Sequence, residues 1–263
     1  MIRKNSNTSE YLPFECISPI LLKNPDYPDY PPFLSGTGFF CFFAPYEFIF
    51  FVTARHCLLK EGETEIYEYI KIPYLNTTSE KPSLAVVFSE CLCTEDEDIL
   101  VLVVDHNKNK EELKILKERA INLSHQDDVD NVINILCNTK GNVRTLGFSQ
   151  PFNPKKEDEH TSIRYDDDDN PKLIMRPRGF YGKIKNNSNF HHRYGFEESN
   201  WDEEEYRGFS GSPVISLIKD PILNLLDRRV IGVMLTATKS RGEFISINIA
   251  TNLIASFINK VNA

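Results

Sequence analysis

Gly208-Phe209-Ser210-Gly211-Ser212-Pro213-Val214 is the stretch on which the reading of this chain turns. A serine sits inside a glycine-flanked turn, and the turn runs into an apolar strand. Glycine lets the backbone bend where a side chain would obstruct it, so amide N–H groups beside Ser210 can be aimed at one spot. A serine hydroxyl is a weak nucleophile near neutral pH. It needs a base to take its proton, and the base needs a third group to fix its tautomer. Two other segments supply those parts. Phe51-Val52-Thr53-Ala54-Arg55-His56-Cys57 is an apolar strand that ends in a histidine. Glu97-Asp98-Ile99-Leu100-Val101-Leu102 sets an acid just before another apolar strand. Among Glu95, Asp96, Glu97 and Asp98, only Asp98 directly adjoins that strand, which makes it the expected partner of His56.

Around these segments the chain consists of short apolar runs divided by turn signals. Phe39–Phe43 and Phe48–Thr53 are aromatic and β-branched and are joined by Ala44-Pro45-Tyr46-Glu47, the pattern of a buried hairpin. Further strands are expected at Glu65–Ile72, Ser83–Phe88, Ile99–Val104, Val132–Cys137, Val143–Gly147, Lys172–Met175, Tyr181–Lys185, Ser212–Ser216, Arg229–Thr236 and Phe244–Ile249. So many short strands point to an all-β sandwich or barrel. Helical signal is confined to Lys110–Ala120, placed where it could bridge two halves, and to Ala250–Val261. In the latter, Leu253, Ile254, Phe257, Ile258 and Val261 form one apolar stripe. The polar stretches Pro154–Asn170 and Asn186–Arg207 read as solvated loops.

Composition excludes several classes. The 263 residues are 41% hydrophobic and 26% charged, a globular balance that leaves enough apolar side chain for a substantial core. A formal net charge of −8 disfavours nucleic acid and anionic lipid as partners. No apolar run is long enough to span a bilayer, and the first residues lack the apolar region of a signal peptide, so a cytoplasmic location is expected. The six cysteines are then expected as reduced thiols. Cys91-x-Cys93 is too tight for a zinc knuckle, and Asp166–Asp169 lacks the alternation of a calcium loop, so neither metal nor other cofactor is expected.

Thr53-Ala54-Arg55-His56-Cys57, Asp98-Ile99-Leu100-Val101-Leu102 and Gly208-Phe209-Ser210-Gly211-Ser212-Pro213 together resemble the three signature blocks of trypsin-like serine proteases, in the order His, Asp, Ser. Ser35-Gly36-Thr37-Gly38-Phe39, Thr145-Leu146-Gly147-Phe148 and Val230-Ile231-Gly232-Val233 resemble flanking strands of that family. The resemblance implies two antiparallel six-stranded β-barrels of chymotrypsin-like type with a C-terminal helix. They would divide into residues 1–120, with a leader and linker helix, and residues 121–263, as one peptidase unit. It implies a hydrolase in which Ser210 attacks the scissile carbonyl, His56 is base and then acid, and Asp98 orients the imidazole. The N–H groups of Gly208 and Ser210 would form the oxyanion hole.

The chain also departs from that family. Where secreted trypsins carry an Asp before the nucleophile, this sequence has Phe209, so activation by N-terminal cleavage is not expected. Cys57 lacks the family's bridging cysteine, because that neighbourhood reads Leu34-Ser35-Gly36. The pattern is closer to the intracellular, bacterial-type branch. Glu204, six residues before Ser210, falls where the family sets the base of its primary pocket, and a carboxylate there would favour Lys or Arg substrates. Gly232 and Val233 would flank that pocket. The expected partners are a protein or peptide substrate and a regulatory protein that restrains the enzyme. The competing expectation is a catalytically silent trypsin-fold scaffold that binds protein; an intact His, Asp and Ser set argues against it.

Overall fold

The computed structural model describes residues 14–22, 33–59, 70–73, 86–124, 128–148, 161–165, 171–175, 177–185, 191–198, 207–219, 226–227, 229–238 and 241–262. Strands dominate them. The first sheet is built from β1 (Ile17–Leu22), β2 (Phe33–Phe42), β3 (Ile49–Thr53), β4 (Ile70–Lys71), β5 (Phe88–Cys93) and β6 (Leu100–Val104). Helix α1 (Leu113–Arg119) follows, then the short strand β7 (Ile121–Asn122). Strands lie in the order β4-β1-β2-β3-β6-β5, with β7 pairing parallel to β2. The expected hairpin forms, with Phe42 opposite Ile49 and Gly38 opposite Thr53.

Helix α2 (Val129–Thr139) leads into the second unit. It comprises β8 (Asn142–Gly147), the β9 (Thr161–Tyr165) and β10 (Pro171–Met175) hairpin, β11 (Arg178–Lys185), β12 (Arg193–Glu198) and β13 (Pro213–Ser216). It continues through the two-residue pair β14 (Ile218–Lys219) and β15 (Leu226–Asp227), β16 (Val230–Thr238) and β17 (Arg241–Ser246) to the terminal helix α3 (Asn248–Asn262). Six of these strands close an antiparallel barrel in the order β11-β12-β17-β16-β13-β8.

The two-barrel expectation is met in part, and some expected elements lie elsewhere. The second half is a closed six-stranded barrel, but the first sheet does not close among the described residues; β4 and β5 are its edges. Ile121–Asn122 belongs to the first sheet, so that sheet runs past residue 120. The run Val132–Cys137, read as a strand from its β-branched content, is helical. Val129, Val132, Ile133 and Leu136 recur at helical spacing and all are buried, so burial of one stripe outweighs local β-propensity. Strands β9 and β12 lie inside stretches read as loops. In β12, Phe196 is buried, and the charged residues beside it in the sequence, Arg193, Glu197 and Glu198, hid the strand. Asp166–Asp169, residues 83–85 and most of Glu65–Ile72 lie outside the described residues.

The sheet and the barrel share one continuous core. Phe39, Phe50 and Phe51 come from the first sheet, and Phe148, Phe196, Phe209 and Phe244 from the second unit. Helix α3 reaches across: the Phe257 ring meets Phe48 and Phe50 edge-on at 5.3 and 5.8 Å. Its buried face (Ala250, Ile254, Phe257, Ile258) falls on one stripe. Truncating a buried phenylalanine removes its transfer energy and leaves a cavity, so Phe257→Ala should lower the unfolding free energy by about 3–5 kcal/mol in denaturant titration. A loss below about 1 kcal/mol would show that α3 does not brace the first sheet.

Candidate active site

Pairing of β3 with β6 sets Thr53 opposite Leu100, which brings the residues just beyond β3 beside those just before β6. Past Thr53 the chain enters a single 3₁₀ turn, Arg55–Cys57, that presents His56. Asp98 grips this turn twice. One carboxylate oxygen accepts the His56 backbone N–H at 3.0 Å, and the other lies 2.6 Å from His56 Nδ1. The Asp98 backbone carbonyl also accepts the Arg55 N–H at 3.4 Å. Arg55 returns the contact, with its guanidinium donating to the carbonyls of Thr94 and Glu95 at 3.0 and 3.2 Å. Asp98 therefore sets the orientation of the imidazole, while 47% of its side-chain surface stays open to solvent.

The serine turn is held by a different set of bonds. Gly208 and Gly211 have φ of +96° and +85°, a region that side chains resist. Space forbids them as well: a Cβ at Gly211 would run into the Thr37 carbonyl and the Thr53 hydroxyl. Thr37, fully buried on β2, ties the turn to the first sheet. Its N–H donates to the Ser210 carbonyl at 2.8 Å, and its hydroxyl donates to the Gly208 carbonyl at 2.7 Å. That hydroxyl also accepts the Phe148 N–H at 3.0 Å, while the Thr37 carbonyl accepts the Thr53 hydroxyl at 2.7 Å. The Cys57 thiol donates to the Ser210 carbonyl at 3.4 Å, so the residue after His56 touches the backbone of Ser210.

The structure thus joins His56 to Asp98 directly and brings the Ser210 backbone against the His56 turn. It does not give Ser210 Oγ to the imidazole; that hydroxyl donates to the Leu235 carbonyl on β16 at 2.7 Å. The N–H groups of Gly208 and Ser210 meet no acceptor among the described residues. Phe209 is fully buried, as an apolar side chain under the turn should be, and Cys57 is a free, buried thiol. Gly232 and Val233 are both buried on β16, just before the Met234-Leu235 segment that meets the turn. Glu204 lies outside the described residues. Sequence reasoning missed Thr37, Thr53 and the Leu235 carbonyl; the one available signal was a threonine between two glycines, Gly36 and Gly38. It also missed Arg193, which bridges Glu97 at 3.8 Å and Glu243 at 3.6 Å and so ties the Asp98 segment to the barrel.

Electrostatics favour a charged imidazole. Burial opposes the imidazolium, but the Asp98 carboxylate outweighs it, with the neighbouring Cys57 thiol adding to the effect, and the His56 pKa is raised to about 10. Among the described residues no group of three or more metal-ligating side chains is assembled. No protein family model matches the chain, and no curated protein matches it.

Two outcomes follow from this geometry. In an NMR titration the His56 ring should titrate well above the ordinary imidazole value near ~6.5, and Asp98→Asn should bring it back toward that value. The raised value means that the His56–Asp98 pair stabilises the fold fully below about pH 6.5 and loses this contribution as pH climbs through the folded value. An unshifted His56 in the wild type would show that the pair does not form. Separately, Thr37→Val keeps the shape but strands the Gly208 carbonyl and the Phe148 N–H. Denaturant unfolding should register about 1–3 kcal/mol for each stranded group, and an unchanged midpoint would contradict the latch.

Proposed function

We propose that this chain is a trypsin-like serine endopeptidase of the intracellular, bacterial-type branch, built on two chymotrypsin-like barrels and cleaving peptide bonds in a protein substrate. The observation that carries this reading is the doubly bonded His56–Asp98 pair beside a glycine turn whose central residue is a serine. Rotation about one side-chain bond would free Ser210 Oγ from the Leu235 carbonyl to donate to His56 Nε2. With His56 in its neutral form, attack on the scissile carbonyl then passes the hydroxyl proton to His56 and forms a tetrahedral oxyanion. The N–H groups of Gly208 and Ser210 would receive that oxyanion. Collapse breaks the C–N bond, His56 protonates the departing amine, and an acyl ester remains on Ser210. Water, deprotonated by His56, attacks that ester and releases the acid and the free hydroxyl.

Asp98 supports both halves of the cycle by fixing the Nδ1–H tautomer and steadying the imidazolium. The resting bond of Ser210 to Leu235 and the raised His56 pKa together describe a site at rest, which suits an enzyme restrained until substrate or a partner protein resets the serine. Buried Phe209 leaves no carboxylate at its position to receive a new N-terminus, so N-terminal cleavage is not part of the scheme. The free cysteines fit a reducing, cytoplasmic compartment. Among the described residues no helix is long and apolar enough to cross a membrane. The Leu235 bond is also what favours the second reading, a catalytically silent scaffold that keeps the fold to bind protein.

A fluorophosphonate probe separates the two. The wild-type protein should label on Ser210, Ser210→Ala should not, and Asp98→Asn should label far more slowly. In triad hydrolases generally, an Asp-to-Asn change at this point costs about 10⁴ in turnover. A wild type that stays unlabelled across the pH range in which His56 is neutral would favour the scaffold.

A further inference from the structure

A cleft of about 270 Å³ opens on the second barrel between the ends of β11 and β12 and the β16–β17 hairpin. Its walls include Lys185, Glu197, Thr236, Thr238, Arg241 and Glu243. Thr236 directly follows Leu235, whose carbonyl holds the Ser210 hydroxyl. At roughly 3.3 Å per strand residue, Thr236 to Thr238 lie within about 10 Å of that carbonyl along β16. The cleft is therefore reached along β16 from the residue that holds the Ser210 hydroxyl.

Its charges are unevenly matched. Lys185 pairs with Glu197, and Glu243 is met by Arg193, so both carboxylates in the walls are already neutralised. Arg241 stands opposite Glu197 on the neighbouring strand, yet that carboxylate is engaged by Lys185. Among the described residues Arg241 has no carboxylate partner. A guanidinium with free N–H groups, flanked by the threonines at 236 and 238, is a receptor for a carboxylate, which it can take with two parallel hydrogen bonds.

We propose that Arg241 selects an acidic substrate: a Glu or Asp side chain, within about three residues of the bond cut, docks in this cleft. The assignment rests on the peptidase reading for its biological meaning and runs against the Lys/Arg preference expected from Glu204. The acidic side chain forms charge-assisted bonds to Arg241, while Thr236 offers its hydroxyl to the remaining carboxylate oxygen; the Thr238 hydroxyl donates to the Arg241 carbonyl at 3.4 Å. A basic side chain would meet an unpaired cation and two carboxylates that are already occupied.

The test uses fluorescent peptides identical except for one residue (Glu, Gln, Lys or Leu), with binding measured by anisotropy on Ser210→Ala and cleavage measured on the wild type. Glu should bind and cleave about tenfold better than isosteric Gln. Arg241→Ala should erase that ratio, and Arg241→Glu should reverse it in favour of Lys, which a misfolded protein could not do. Equal binding of Glu and Gln peptides to Ser210→Ala, or a ratio indifferent to Arg241, overturns the proposal. Fluorophosphonate labelling run alongside separates the two readings: selective binding without labelling keeps the acidic cleft and removes the peptidase, whereas labelling without selectivity does the reverse.

Discussion

Thr37 ties the first sheet to the barrel where the serine turn meets the strand that leads to His56. One fully buried residue on β2 supplies its N–H to Ser210, its hydroxyl to Gly208 and Phe148, and its carbonyl to Thr53. Those partners belong to the serine turn, to the segment after β8 and to the strand that delivers His56. Buried polar groups are costly when unpaired, so this arrangement stands or falls as a unit. The close approach also explains the composition of the turn. Gly211 is pressed so tightly onto Thr37 and Thr53 that no larger residue fits, and its positive φ would strain one anyway.

On the opposite side of His56, Asp98 does more than supply a charge. By accepting from the backbone N–H and the ring together, it fixes the direction in which the imidazole points. That double grip has an electrostatic consequence, because the same carboxylate that orients the ring holds its proton more tightly. A ring poised to give up a proton and a ring poised to keep one are different states of one site. The Ser210 hydroxyl, turned toward Leu235, belongs with the second.

Much of this was legible in the sequence because the chemistry is written in contiguous segments. His56, Asp98 and Ser210 each sit at the end of an apolar run, and a run of buried strand residues is a strong signal wherever it occurs. Asp98 could be chosen from four neighbouring acids because only it adjoins such a run, and it alone among them meets the imidazole. The terminal helix showed its stripe and forms one turn-fraction earlier than expected, at Asn248. Other features depend on long-range pairing that a linear reading cannot see. Val132–Cys137 has the composition of a strand but packs as a helix, and β12 lies within a charged, polar stretch of sequence. Thr37 and Arg193 draw their importance wholly from partners far away in the chain.

The most direct test of the central claim is a crystal structure of the protein treated with a phosphonylating inhibitor. The account predicts a bond from phosphorus to Ser210 Oγ, with the phosphoryl oxygen within hydrogen-bond reach of the Gly208 and Ser210 N–H groups. His56 should turn its free nitrogen toward the adduct while still bonded to Asp98. A structure in which the hydroxyl remains unmodified on the Leu235 carbonyl, with His56 beyond reach of it, would contradict the account.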